Sequence, residues 1–263
     1  MMRHCWHDLN KILRIMIFNL PNLFTCSNLI CGCIATYCAF HHGHTLAFLF
    51  ILGGAFFDFF DGMLARAMGK SGRFGIELDS LADVVTFGVA PSAMIFTLFN
   101  HVSYPQFMAS ELWFSVMPFT AFLMAAASAL RLAKFNIDER QHVDFIGLPT
   151  PANAIFWAAL ISSSETWLTG PRFNAFFLFA FMILSSWLLV CEVPMFSLKF
   201  KKGNPNNSIK KIFVCIVICI LVACAVVGVI NGYVWHELTK GAAISIGVYV
   251  LMGFVRFFLP GKR

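Results

Sequence analysis

Four aspartates within 26 residues set the chemistry of this chain: Asp58-x-x-Asp61-Gly62-x-x-Ala65-Arg66, eight residues, then Gly75-x-x-x-Asp79-x-x-x-Asp83. Both groups stand in strongly apolar sequence, where an acid is costly and therefore faces protein, water or a metal. Like charges this close do not all stay ionised without a counter-ion. Mg²⁺ or Mn²⁺, one ion or two, is the simplest partner, because these hard cations take carboxylate oxygens and keep positions open for substrate phosphates. Gly62 and Ala65 leave a groove beside the acids, Gly75 allows a close approach, and Arg66 offers a planar fork suited to phosphate. Together they suggest phosphoryl chemistry at a membrane surface. The competing reading is that the acids only pair with Arg66, Lys70 or Arg73 and hold a bundle together. Four acids against three bases leave negative charge over, and Asp58 lies about two turns deeper than the loop.

To converge, the acids need two neighbouring helices. At about 100° per residue, Asp58, Asp61 and Ala65 fall within about 60° of one another, and Gly75, Asp79 and Asp83 likewise share a face. Two antiparallel helices joined by the short intervening loop would turn these faces together. The composition agrees. Of 263 residues 59% are hydrophobic, 31 of them phenylalanine, and only 12% are charged, against about 25% in soluble domains. With a mean hydropathy of +0.77, the expectation is an all-α polytopic membrane bundle, a single integral membrane domain over 1–263. A span needs about 20 apolar residues, and eight segments qualify: 20–40, 46–66, 76–99, 112–134, 150–166, 173–191, 211–231 and 239–258. Ser162-Ser163-Ser164-Glu165 crowd the end of the fifth.

Lysine and arginine set the orientation, since cytoplasmic loops collect them. Arg3, Lys11 and Arg14 precede the first span. Arg66, Lys70 and Arg73 follow the second, and Arg131, Lys134 and Arg140 follow the fourth. Lys199, Lys201, Lys202, Lys210 and Lys211 follow the sixth, and Arg256, Lys262 and Arg263 end the chain. Of all nineteen, only Arg172 and Lys240 fall on the other side. This alternation predicts both termini in the cytoplasm and the acids at the cytoplasmic face of the cell membrane. The net charge of +6 sits in short juxtamembrane loops, so anionic membrane lipids, and not nucleic acid, are the expected partner of the basic residues, unless they serve topology alone.

The full spacing from Asp58 to Asp83 resembles the signature of the CDP-alcohol phosphatidyltransferases. That resemblance implies a helical membrane enzyme, usually a homodimer, in which an alcohol attacks a CDP-linked lipid and CMP leaves. It implies that Asp58, Asp61 and Asp79 bind metal and that Asp83 binds a second ion and acts as general base. Gly62, Arg66 and Gly75 would line the nucleotide and pyrophosphate site, with Ala65 in the groove and Asn22 touching it from the first helix. The run Asp79 to Pro91, the run Ala129 to Asn136 and Phe145-Ile146-Gly147-Leu148-Pro149-x-Pro151 are similar to the phosphatidylserine synthase subgroup, the membrane-embedded type. Phosphatidylglycerophosphate synthases usually carry Lys after the last Asp, where this chain has Val84. The resemblance covers about 20–155, the expected catalytic core, leaving 173–258 as additional helices. It implies CDP-diacylglycerol and L-serine as substrates, with Arg131 or Lys134 either holding the serine carboxylate or only marking topology. Glycerol 3-phosphate or an inositol compound is the alternative acceptor. A cation or proton transporter is the alternative class, disfavoured because the acids gather toward one face and the second span has no proline.

Other features read more plainly. The nine cysteines, mostly in apolar runs, read as small buried hydrophobes. His41, His42 and His44 read as an exposed polar turn on the far side from the acids, Glu192 as the ion-pair partner of Lys199, and the tryptophans 6, 113, 157, 167, 187 and 235 mostly as interfacial anchors.

Overall fold

The computed structural model describes residues 19–69, 72–138, 145–195 and 207–258. All eight segments expected to span are helical there. Helix α1 (Leu20–Phe40) begins where the Asn19 side chain accepts the Asn22 amide at 2.9 Å, with Pro21 in the first turn. Both are start signals, because first-turn N–H groups have no partner within the helix. His41 to Gly43, with His42 at φ 57°, turn the chain back into α2 (His44–Ala67). Next comes one continuous rod: α3 (Arg73–Asp83), a π-helical turn (Val84–Val89) and α4 (Ala90–Phe99). Pro91 lies inside this rod. Its ring and missing N–H do not fit an α-helical ladder, and the wider turn just before it makes room.

A second composite rod follows: α5 (Glu111–Val116), a 3₁₀ stretch (Met117–Ala121) and α6 (Phe122–Ile137). Then come α7 (Thr150–Leu168), α8 (Ala175–Val190), α9 (Asn207–Asn231) and α10 (Val234–Phe258). A two-residue antiparallel pair, Phe145–Ile146 with Pro194–Met195, ties the segment before α7 to the end of α8. Gly147 makes that tie possible: it takes φ +77°, its N–H donates to the Val193 carbonyl at 2.9 Å, and a Cβ there would lie 2.7 Å from the Leu189 carbonyl.

The chain is a multi-pass, membrane-embedded helical protein. Six helices among the described residues are long and apolar enough to cross a membrane: Leu20–Phe40, His44–Ala67, Arg73–Phe99, Glu111–Ile137, Ile209–Asn231 and Val234–Phe258. Two of the eight expected spans fall short of that standard. Helix α8 has 16 residues, about 24 Å at 1.5 Å per residue against a core of about 30 Å. Helix α7 carries the polar run at its end and bends at Ser164 (φ −135°, ψ 19°). The expectation for the termini falls on residues outside the described ones.

The bundle is sorted by size and polarity. Helix α1 turns Asn22, Thr25, Asn28, Gly32, Ala35 and Ala39 inward and leaves Leu20, Leu23, Ile30 and Tyr37 outside. Small inward residues let backbones approach, since apolar side chains gain little by leaving lipid. The most buried span is the α3–α4 rod. Around it lies the main core, with Phe48, Ile51, Phe87, Met94, Phe99 and Trp157. Leu148, Leu188, Met195, Phe213 and Tyr249 form a second cluster that fixes α9 and α10 to the rest.

Two sequence expectations need correction. His44 is not an exposed turn residue: it is 3% exposed, with Nε2 3.2 Å from Thr97 Oγ1 and Nδ1 3.0 Å from Glu165 Oε2. The bend at Ser164 immediately precedes Glu165. Trp157 is not an interfacial anchor: it is fully buried, and its indole N–H donates to Ser185 Oγ at 2.9 Å. Glu192 pairs with Lys134 at 3.3 Å, while Lys199, like Trp6, lies outside the described residues. The described cysteines are free thiols.

Candidate active site

Asp58 and Asp61 stand near the end of α2, and Asp79 and Asp83 stand on α3. The helices bring one carboxylate oxygen each from Asp58, Asp61 and Asp79 within 4.8 Å of one another. Carboxylates this close stay ionised together only around a shared cation or proton. Asp79 Oδ1 is buried without a hydrogen-bond partner. Hard oxygen donors, packed together and partly orphaned, fit a divalent cation such as Mg²⁺ or Mn²⁺.

Helix α1 supplies the surrounding donors. Asp61 is buried and accepts from Thr25 Oγ1 at 2.6 Å, and Asp83 is buried and accepts from Asn28 Nδ2 at 2.9 Å. Neither donor was singled out from sequence, although the signal was present. Asn22, Thr25 and Asn28 recur at three-residue steps, one polar stripe down an apolar helix.

The acids form a wall between two cavities. On one side lies a cleft of about 220 Å³ lined by Asn22, Thr25, Asp61, Gly62, Ala65, Arg66, Gly75 and Asp79. The Arg66 guanidinium lies along Gly62, 3.7 Å from where a Cβ would stand, and Gly75 faces Asn22 Oδ1 at a similar 3.6 Å. Neither glycine is forced by a clash; the missing side chains keep the cleft open. Every residue expected at the nucleotide and pyrophosphate site lines this cleft. On the other side is a cavity of about 570 Å³, lined by Asp58, Asp79, Asp83, Ser80, Arg131, Asn136 and Pro151 among others. Asp79 lines both.

Arg131 and Lys134 looked alike in sequence but occupy different places. Arg131 is 6% exposed. It donates from an Nη to Thr150 Oγ1 at 2.8 Å, lies 5.6 Å over the Phe135 ring, and has a buried Nε with no partner. A solvated topology marker would not be buried beside Asp83, whose charge it feels. Lys134 is half-buried, paired with the exposed Glu192, and lines neither cavity. Thr150, which holds Arg131, and the Asn136–Ser80 hydrogen bond of 2.8 Å, whose two residues line the second cavity, were also missed from sequence.

Acids divided between two neighbouring helices, with a cleft of glycines and an arginine on one side and a second cavity behind, define a membrane-embedded site suited to metal-assisted phosphoryl transfer. The CDP-alcohol phosphatidyltransferase model matches residues 18–234, and the chain belongs to that family. Its relatives are consistent with one another. Over 136 residues, half of this chain and 69% of the relative, it is 39% identical to a Bacillus subtilis protein named CDP-diacylglycerol–serine O-phosphatidyltransferase. Proteins of the same name in Helicobacter pylori and Methanocaldococcus jannaschii are 27% identical over 92% of both chains and 30% identical over 69% of this chain and 88% of the relative, respectively.

Proposed function

We propose that this chain transfers the phosphatidyl group of CDP-diacylglycerol to L-serine, giving phosphatidylserine and CMP. The second cavity carries the proposal. Among the described residues, Arg131 is the only cation lining it, and one buried guanidinium with a free Nε suits one carboxylate. A phosphorylated acceptor would call for a larger basic cluster. The names of the relatives support the same acceptor.

The roles follow from position. Asn22, Gly62, Ala65, Arg66 and Gly75 receive the cytidine and pyrophosphate in the cleft. Arg131, held by Thr150, orients the serine carboxylate in the second cavity. Asp58, Asp61 and Asp79 would hold a divalent cation, with Asp83 a ligand to a second, and the metal would supply charge neutralisation for the pyrophosphate and for CMP as leaving group. The serine hydroxyl is un-ionised at neutral pH, so a carboxylate base is needed. Asp83, bordering the second cavity, takes the hydroxyl proton as the serine oxygen bonds to the diacylglycerol-bearing phosphorus. The bond from that phosphorus to the CMP oxygen breaks in the same direct displacement. The distribution of lysine and arginine supports a site opening to the cytoplasm, and the family resemblance supports a homodimer.

The test is CMP release by the purified protein from CDP-diacylglycerol with Mg²⁺ or Mn²⁺ and a panel of alcohols. Serine-dependent release is expected. Release with glycerol 3-phosphate or inositol but not serine would reassign the acceptor, and no release with any alcohol would end the enzyme reading.

A further inference from the structure

Asn28 on α1 has no role in the chemistry so far. It is fully buried, and it joins the acids to the π-helical turn. Its Nδ2 donates to Asp83 Oδ1 at 2.9 Å, and its main-chain carbonyl accepts from Thr86 Oγ1, also at 2.9 Å. Thr86 belongs to the π-helical turn that starts one residue after Asp83. It is fully buried in a slot between two glycines. A Cβ at Gly32 would collide with the Thr86 backbone and hydroxyl, and one at Gly54 would collide with its methyl group. Three elements are thus locked around one threonine, and the same contacts hold the amide that grips Asp83.

We infer that Asn28 and Thr86 form a positioning latch that fixes which oxygen of Asp83 faces the acceptor hydroxyl. The inference rests on Asp83 acting as the base proposed above. Three physical points carry it. The amide engages one carboxylate oxygen and leaves the other for the second cavity, which Asp83 lines. The donor is neutral, so it orients the acid without adding a cation that would compete with the metal for the cluster. Asn28 is also a poor choice for packing alone. Its Oδ1 is buried with no hydrogen-bond partner, and such an orphan costs stability. A leucine of similar shape would remove that orphan, at the cost of the donor to Asp83 Oδ1.

This last point separates a positioning role from a structural one. N28L is expected to melt close to the wild-type temperature, since it removes one buried orphan and one buried hydrogen bond, while turnover falls about 100-fold, the scale of a mispositioned reacting group. Its affinity for CDP-diacylglycerol, measured without serine, should stay within about twofold, because the amide does not line the nucleotide cleft. T86V keeps the shape and removes the hydroxyl, and should lose about tenfold in kcat; T86S keeps the hydroxyl and should stay within about twofold of wild type. N28L turnover within twofold of wild type overturns the latch. So does equal activity of T86V and T86S, which decides the matter even if N28L does not fold. A wild type that releases no CMP with any alcohol would instead remove the reading on which the latch rests. An active wild type with indifferent variants removes the latch alone.

Discussion

Helices α1 and α9 are both apolar enough to span a bilayer, yet they are built for opposite surroundings. On α1 the inward stripe is polar or small, from Asn22 through Thr25 and Asn28 to Gly32, and three of these touch the acids or the turn beside them. Helix α9 is the most hydrophobic of the spans and the least buried. It shows Ile218, Val222, Val226, Val229 and Ile230 outward and packs chiefly on its hairpin partner α10. Hydropathy identifies both as spans. Only the exceptions to hydropathy tell which one serves the chemistry, because a polar group in an apolar helix must be satisfied by something specific.

That contrast can be broken or sharpened by experiment, starting where the effect is greatest. Asp79→Ala removes the acid shared by both cavities, and CMP release is expected to fall by more than about 10³-fold; residual activity within tenfold would mean that the cluster is structural. Chelation with EDTA should abolish release and excess Mn²⁺ or Mg²⁺ should restore it, whereas activity that survives chelation would remove the metal from the mechanism. Arg131→Lys is expected to raise the serine KM about 10- to 100-fold through loss of the planar fork, with CDP-lipid affinity unchanged. An equal loss of both affinities would count against a carboxylate subsite. Gly54→Ala forces a methyl group against Thr86 and to within 2.8 Å of Asn28 Oδ1. It should cost about 1–3 kcal/mol of stability, as overpacking does, read as a lower melting temperature. At the far end, Val226→Ala on α9 should change turnover by less than about twofold and stability by about 0.5 kcal/mol at most. A large effect there would show that α9 meets protein and not lipid.

Much of the site was legible because its parts are close in sequence. Asp58 to Asp83 lie on two consecutive helices, so spacing alone gives their faces, and Gly62, Arg66 and Gly75 come with them. What stayed hidden depends on distant partners. Arg131 and Lys134 have the same charge and the same place at a span end, and only the packing of Thr150 and Phe135 buries one of them. His44 meets Glu165 only after α7 bends at Ser164, and no local pattern announces that contact. The π-helical turn has no sequence signature apart from Pro91, which follows it. Helix existence was legible throughout, but spanning only in part: α7 and α8 read as spans by composition and fall short by polarity and length.

The π-helical turn has a consequence for how the α3–α4 rod tolerates change. A turn of this kind holds one more residue than an α-helical turn, so it offsets everything after it by roughly 100°. The rod therefore carries two independent settings, one that aims Asp79 and Asp83 at the cavities and one that aims Met94 and Phe99 at the core. The offset works like a vernier between them. Core side chains on α4 can be exchanged without rotating the acids, whereas deleting a single residue between 84 and 89 would turn one half of the rod against the other.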